Sequence, residues 1–261
     1  MHTPIDRWAA HMAFRGSART TITTRTRALR RVERACGGDL LTLGPSDIVA
    51  YLAQYDRAST RATILSYIRC FYDFALDEGL VAESPAARLP TIKVPTAVPR
   101  PAPVTEVAEV LRRATPRTRS FVLLMAYAGL RCFEVAAFRP EHLAVDGAGR
   151  WWLSIPRGKG GHQQSVPIAA WVAQELRDGP TWDVTVQTVQ KDVRQALRDI
   201  GSPTTPHQLR HYYGTTALHT TDNLRVVQQM MRHASPATTA RYTLVTSSET
   251  SNAAEGLPRI A

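Results

Sequence analysis

Residues 205–242 read TPHQLRHYYGTTALHTTDNLRVVQQMMRHASPATTARY. The pattern predicts three helices, each with its own start. Thr205 followed by Pro206 is a cap-and-proline signal, because the first helical residue has no use for its N–H. Thr221 or Asp222 is placed to cap a second helix, on which Leu224, Val227 and Met231 share a face and which His233 ends. Ser235 and Pro236 repeat the first signal ahead of Tyr242. On the first helix His207, Arg210, His211 and Gly214 fall at i, i+3, i+4 and i+7, one face opposite Leu209 and Tyr213. That face opens at a helix N-terminus, where free N–H groups and the positive dipole end favour an anion. Two imidazoles (His207, His233), a guanidinium and a phenol are a set able to break a phosphodiester without a metal. The same residues also fit ordinary surface histidines at helix ends.

Working outward, the composition narrows the partner. A chain of 261 residues has room for two domains, and its net charge of +10 points to a polyanion, most simply nucleic acid. The longest apolar run, Phe121 to Leu130, is too short to span a bilayer. The first residues, MHTPIDRWAAHMAFRG, lack the apolar core of a signal peptide, so a cytoplasmic protein is expected. Cys36, Cys70 and Cys132 are odd in number and form no C-x-x-C pair, which argues against a disulfide framework or a zinc module. His207 and His211 lack the Glu of H-E-x-x-H, so a zinc enzyme is not supported and no cofactor is expected.

Residues 1–90 read as four short amphipathic helices around one core. Ile5, Trp8 and Met12 mark the first; Ile22, Leu29, Val32 and Cys36 the second. Ile48, Leu52 and Tyr55 follow a start at Ser46 or Asp47, and Ile64, Ile68, Phe71 and Ala75 mark the fourth. The outer side of the second helix carries Arg19, Arg25, Arg27, Arg30, Arg31 and Arg34, with Glu33 as the one acid. Arg57, Arg61 and Arg69 extend it. Such a poorly neutralised stripe suits the DNA backbone better than plain solvent. Five prolines between Pro90 and Pro103 then make residues 91–104 an extended connector, able to let two basic modules clamp a duplex.

Residues 105–261 begin with two helices, at about 105–114 and 117–128, the second carrying FVLLMAYAGL and buried nearly all round. After Gly129, Arg131 and Glu134 stand three apart on one face. The pair is either a structural ion pair or a guanidinium held toward a phosphate. Leu143–Asp146, Trp151–Ile155 and Gln163–Ile168 alternate as an antiparallel three-stranded meander, with Lys159 at the tip of the turn Arg157-Gly158-Lys159-Gly160-Gly161. A tip lysine is usually solvated, but it can also lower one cation into a groove and give up a proton. Residues 171–200 are helical, with Trp171, Val172, Leu176, Val189, Val193 and Leu197 as inward candidates.

AGLRCFEVAAF, RGKGGHQQSVPI, TPHQLRH and MMRHASPATTARY occur in that order. With Arg131, Lys159, His207, Arg210, His233 and Tyr242 at the marked places, the chain resembles the tyrosine recombinase family of phage integrases and chromosome-dimer resolvases. The resemblance implies an N-terminal all-α, four-helix core-binding domain of SAM-like type over 1–90. A mainly α catalytic domain with the small sheet then follows over 105–261. It implies that Tyr242 attacks DNA to leave a 3′-phosphotyrosine, and that Arg131 and Arg210 hold the non-bridging oxygens. Lys159 protonates the leaving 5′-oxygen, His207 assists at the tyrosine, His233 hydrogen-bonds the phosphate, and Glu134 supports Arg131. The implied partners are duplex core attachment sites, three further protomers in a tetramer linked by the tail after Tyr242, and a directionality factor. No arm-binding module is expected ahead of the core-binding helices. Many relatives have Leu-Gly where this chain has Met231-Arg232, an arginine free to touch DNA on this reading. A type IB topoisomerase and a non-catalytic DNA-binding regulator are the rival functions.

Overall fold

Thr3 and Asp6 cap each other: the Asp6 N–H donates to Thr3 Oγ1 at 3.2 Å and the Thr3 N–H to Asp6 Oδ2 at 3.3 Å. This reciprocal cap starts α1 (Pro4–Phe14). The computed structural model describes residues 3–95, 100–155 and 164–232. The chain divides into two compact units, Met1–Ala97 and Val98–Ala261. In the first, α1 is followed by α2 (Arg19–Ala35), α3 (Pro45–Ala53) and α4 (Ala58–Asp77). Trp8 meets Phe71 edge-on at 5.7 Å inside a core that also holds Leu29, Val32, Ile48 and Ile68. Helix α3 starts one residue earlier than expected. Asp47 lies inside its first turn and accepts the Gly44 N–H at 2.8 Å, so it is not the cap residue itself.

The second unit contains α5 (Val104–Arg113), α6 (Pro116–Tyr127) and α7 (Cys132–Ala136), then strands β1 (Leu143–Val145), β2 (Trp151–Ile155) and β3 (Gln164–Pro167). Helices α8 (Ala170–Asp178), α9 (Val186–Asp199), α10 (Pro206–Thr221) and α11 (Leu224–Met231) complete it among the described residues. Helix α6 is its axis. Phe121 to Met125 are wholly buried, as the unbroken apolar run demands, and α5, α8, α9 and α10 pack around it. The strands form the expected antiparallel meander, with Leu143 opposite Leu153 and Leu153 opposite Val166. Leu153, Ile155 and Val166 are its buried positions. The Asp146 carboxylate closes the first hairpin by accepting from the Ala148 and Arg150 N–H groups and the Trp152 indole, each at 2.9 Å.

Two local expectations are corrected. Trp171 does not point inward. It is 48% exposed and lies edge-on to Tyr127, while Val172 and Leu176 fill the core side of α8. Asn223, not Thr221 or Asp222, caps α11, its Oδ1 accepting from Arg225 and Val226 N–H at 3.0 and 3.2 Å. Asp222 instead takes a left-handed φ of 48° and closes α10. Thr205 caps α10 with Pro206 at its first position, as expected. Its N–H and hydroxyl donate to Gln208 Oε1 at 2.9 and 3.0 Å. No helix among the described residues is long and apolar enough to cross a membrane.

Candidate active site

The site begins where α6 ends. Gly129 has φ +63°, and a Cβ there would stand 2.4 Å from the Tyr213 ring, so only glycine fits this turn. Two residues on, Arg131 caps α7 and Glu134 occupies its first turn, fully buried. Glu134 accepts the Arg131 N–H at 2.7 Å and one guanidinium nitrogen at 3.2 Å. Trp182 fixes α7 from behind by donating to the Val135 carbonyl at 3.1 Å. Arg131 is thus held at its root, with its side chain still 32% exposed.

Helix α10 is set by its lead-in. Glu106 accepts the hydroxyls of Ser202 and, at 2.6 Å, Thr204, and the Ala102 N–H donates to the Gln208 carbonyl at 3.0 Å. His207 then stands exposed in the first turn, with its ring 4.5 Å from that of His211. Arg210 and Gly214 are buried together with Leu209 and Tyr213 while His207 is exposed and His211 half-buried, so the face read as opposite Leu209 and Tyr213 is divided between interior and solvent. The reason is packing, since α6 and α11 lie along α10. The Arg210 guanidinium donates to the Gly129 carbonyl and, at 2.6 Å, to the Met231 carbonyl. Both acceptors belong to helix C-terminal ends, whose spare carbonyls a cation satisfies.

Arg232 is the largest departure from expectation. It is not open to DNA: its side chain is 3% exposed, and it donates to both Glu134 oxygens, at 3.0 and 2.9 Å, and to the Gly129 carbonyl at 3.2 Å. Two guanidiniums therefore share one carboxylate, and two share the Gly129 carbonyl. Burial by itself would raise the Glu134 carboxyl, but the Arg232 pair and then the Arg131 N–H and charge hold it below its ordinary value. His207 is also held below its ordinary value, by loss of surrounding water first and then by Arg210 and Arg131. A neutral imidazole beside surplus positive charge can take a proton while the guanidiniums hold an anion.

A cleft of about 400 Å³ opens on this cluster, walled by Arg131, Cys132, His207 and Arg210 together with Gln190 and Arg194 of α9. Sequence reasoning does not single out Gln190 and Arg194. Their spacing of four on an exposed helix face is a signal, but one shared by many surface residues. Lys159, His233 and Tyr242 lie outside the described residues. A second, apolar cleft of about 620 Å³ is lined by Tyr127, Trp151, Ile168, Tyr212 and Met230.

In the first unit, Arg19, Arg27, Arg31 and Arg34 line the exposed side of α2, and Arg57 is exposed ahead of α4. Arg25 lies over the Tyr67 ring at 5.6 Å, Arg30 pairs with Asp6 at 2.7 Å, and Arg61 is half-buried. Arg69 is committed inward, donating to the carbonyls of Ala86 and Leu89 at 3.4 and 2.5 Å.

Residues 103–249 match the model described as the phage integrase family, and residues 5–79 match the phage integrase N-terminal SAM-like domain. Over 231 residues the chain is 32% identical to a protein named tyrosine recombinase XerD from Ralstonia nicotianae, covering 77% of this chain and 73% of that one. A lambda integrase (75-356) dimer bound to a COC' core site shares the fold at a TM-score of 0.73 and 18% identity, covering 93% and 94% of the two chains. A lambda integrase tetramer bound to a Holliday junction matches at 0.72 and 17%, covering 92% and 76%.

Proposed function

Since the chain belongs to the phage integrase family and is a tyrosine-type site-specific recombinase, we propose that Tyr242 is its nucleophile and the Arg131–Arg210 cleft its phosphate site. The observation that carries this is the convergence of two guanidiniums and an imidazole on one cleft at the start of α10. The Tyr242 oxygen attacks the phosphorus, and its proton passes toward His207. The bond from phosphorus to the 5′-oxygen breaks, and that oxygen takes a proton from Lys159. Arg131, Arg210 and His233 neutralise the oxygens on which charge grows. A 5′-hydroxyl of the exchanging strand then attacks the phosphotyrosine and reverses the step. One ester replaces another, so no external energy source is needed.

The SAM-like unit grips the duplex backbone through Arg19, Arg27, Arg31, Arg34 and Arg57, with Arg25, Arg30 and Arg61 at the margins of that face. The substrates are short core attachment sites, and the reaction integrates phage or mobile-element DNA in the cytoplasm, directed by an accessory factor. Four protomers act on two duplexes, each tail beyond Tyr242 seated on a neighbour; the apolar cleft beside Tyr127 and Met230 suits such a tail. Dimer resolution is the second reading, favoured by the identity to XerD.

The test is trapping on a nicked duplex that carries the core site, in which the freed strand end diffuses away. The wild type should give a protein–DNA band that survives denaturant and EDTA, and Tyr242→Phe should give none. A band that persists in Tyr242→Phe would place the nucleophile elsewhere, and binding without any band would favour a non-catalytic regulator. Relaxation of a plasmid lacking the core site would favour a topoisomerase.

A further inference from the structure

Arg232 occupies a backbone position that disfavours it. Its φ of 55° and ψ of 46° are left-handed, a conformation that a non-glycine residue adopts only at a cost. The N–H of Arg232 closes α11 on the Gln228 and Gln229 carbonyls, a duty glycine performs without strain. What distinguishes arginine is the side chain, which is buried and directed at Glu134 and Gly129.

We propose that Arg232 is a positioning residue for cleavage: it occupies the Glu134 carboxylate so that Arg131 stays available to the phosphate. Arg232 meets Glu134 with two nitrogens, at 2.9 and 3.0 Å, whereas the Arg131 side chain reaches it with one, at 3.2 Å. A buried carboxylate left with a single guanidinium draws that partner into a forked pair, because an uncompensated buried charge is expensive. Without Arg232, Arg131 folds back onto Glu134, and its charge and donors no longer reach the substrate. Arg232 acts on Arg210 as well, since both donate to the Gly129 carbonyl. One side chain thereby ties the end of α11 to the turn from which Arg131 projects.

The proposal rests on the assignment of Arg131 to the phosphate site, and the test separates the two. Loss of trapping in Arg131→Ala on the nicked core-site duplex, with binding retained, checks that assignment by itself. Arg232→Met should then lower the cleavage rate of the bound complex roughly tenfold or more, with DNA affinity little changed. Arg232→Lys, which keeps the charge but not the fork, should recover part of the loss. The paired substitution Glu134→Gln with Arg232→Met should recover most of it, because no buried carboxylate remains to capture Arg131. A residue that merely closed α11 would lower the melting temperature yet leave the rate of folded protein unmoved, and pairing it with Glu134→Gln would rescue nothing. Should Arg232→Met fail to fold, the lysine and paired variants make the comparison. Wild-type cleavage rates in Arg232→Met, or a paired variant as slow as Arg232→Lys or slower, overturn the proposal.

Discussion

His207 is the described residue whose protonation the proposed mechanism uses most directly. An ordinary histidine titrates near 6.5, and this one is held lower. The neutral ring, able to accept the phenol proton, therefore persists at every pH above 6.5 and somewhat below it. Trapping rates measured on bound complexes should be flat from about pH 8 down to about 6.5 and fall only below that. A rate already falling between pH 8 and 7 would mean that the imidazolium, not the imidazole, is the working form. Arg131, Glu134, His207 and Arg210 can be picked out of the sequence because each sits at a helix start with its neighbours at turn spacing. Arg232 cannot. Its partner Glu134 is 98 residues away, and no local pattern announces a contact of that range.

Helix α6 is legible for a simple reason: ten apolar residues in a row leave no exposed face to mistake. The meander is equally plain from alternation and glycine turns. Caps are harder, because Thr221, Asp222 and Asn223 are all good cap residues, and only the left-handed backbone of Asp222 hands the role to Asn223. Trp171 reads as inward because periodicity cannot tell a core tryptophan from a half-exposed one laid edge-on against Tyr127. The turn that ends α6 offers a clean test of packing. Gly129→Ala suffers both a left-handed φ and the approach to Tyr213, and should cost about 2–4 kcal/mol in denaturant unfolding. Gly149→Ala has a similar φ of +76° but nothing within 4 Å, so it should cost only about 1 kcal/mol. Equal losses would show that the Tyr213 ring yields easily to a methyl group.

The surplus of ten positive charges and the two-part build are both readable from composition and from the prolines between them. Which arginines face solvent is not, because a helical stripe does not reveal that Asp6 reaches Arg30 or that Arg69 turns toward Ala86 and Leu89. Binding to a duplex should weaken linearly in log–log salt titrations. Replacing Arg27, Arg31 and Arg34 with alanine should flatten the slope by about 0.9 for each phosphate no longer neutralised. Arg69→Ala should leave the slope alone and lower the melting temperature instead. A last consequence follows from where the anchors of Arg210 and Arg232 lie along the chain. The first unit builds its core from residues before position 93, whereas Arg210 and Arg232 meet Gly129 across 81 and 103 residues. During synthesis the arginines proposed to grip DNA emerge first, and the proposed cutting centre is assembled last. On the proposed assignment, a polypeptide released by the ribosome before Arg232 carries the DNA-binding unit but an unfinished site, so it would bind DNA without nicking it.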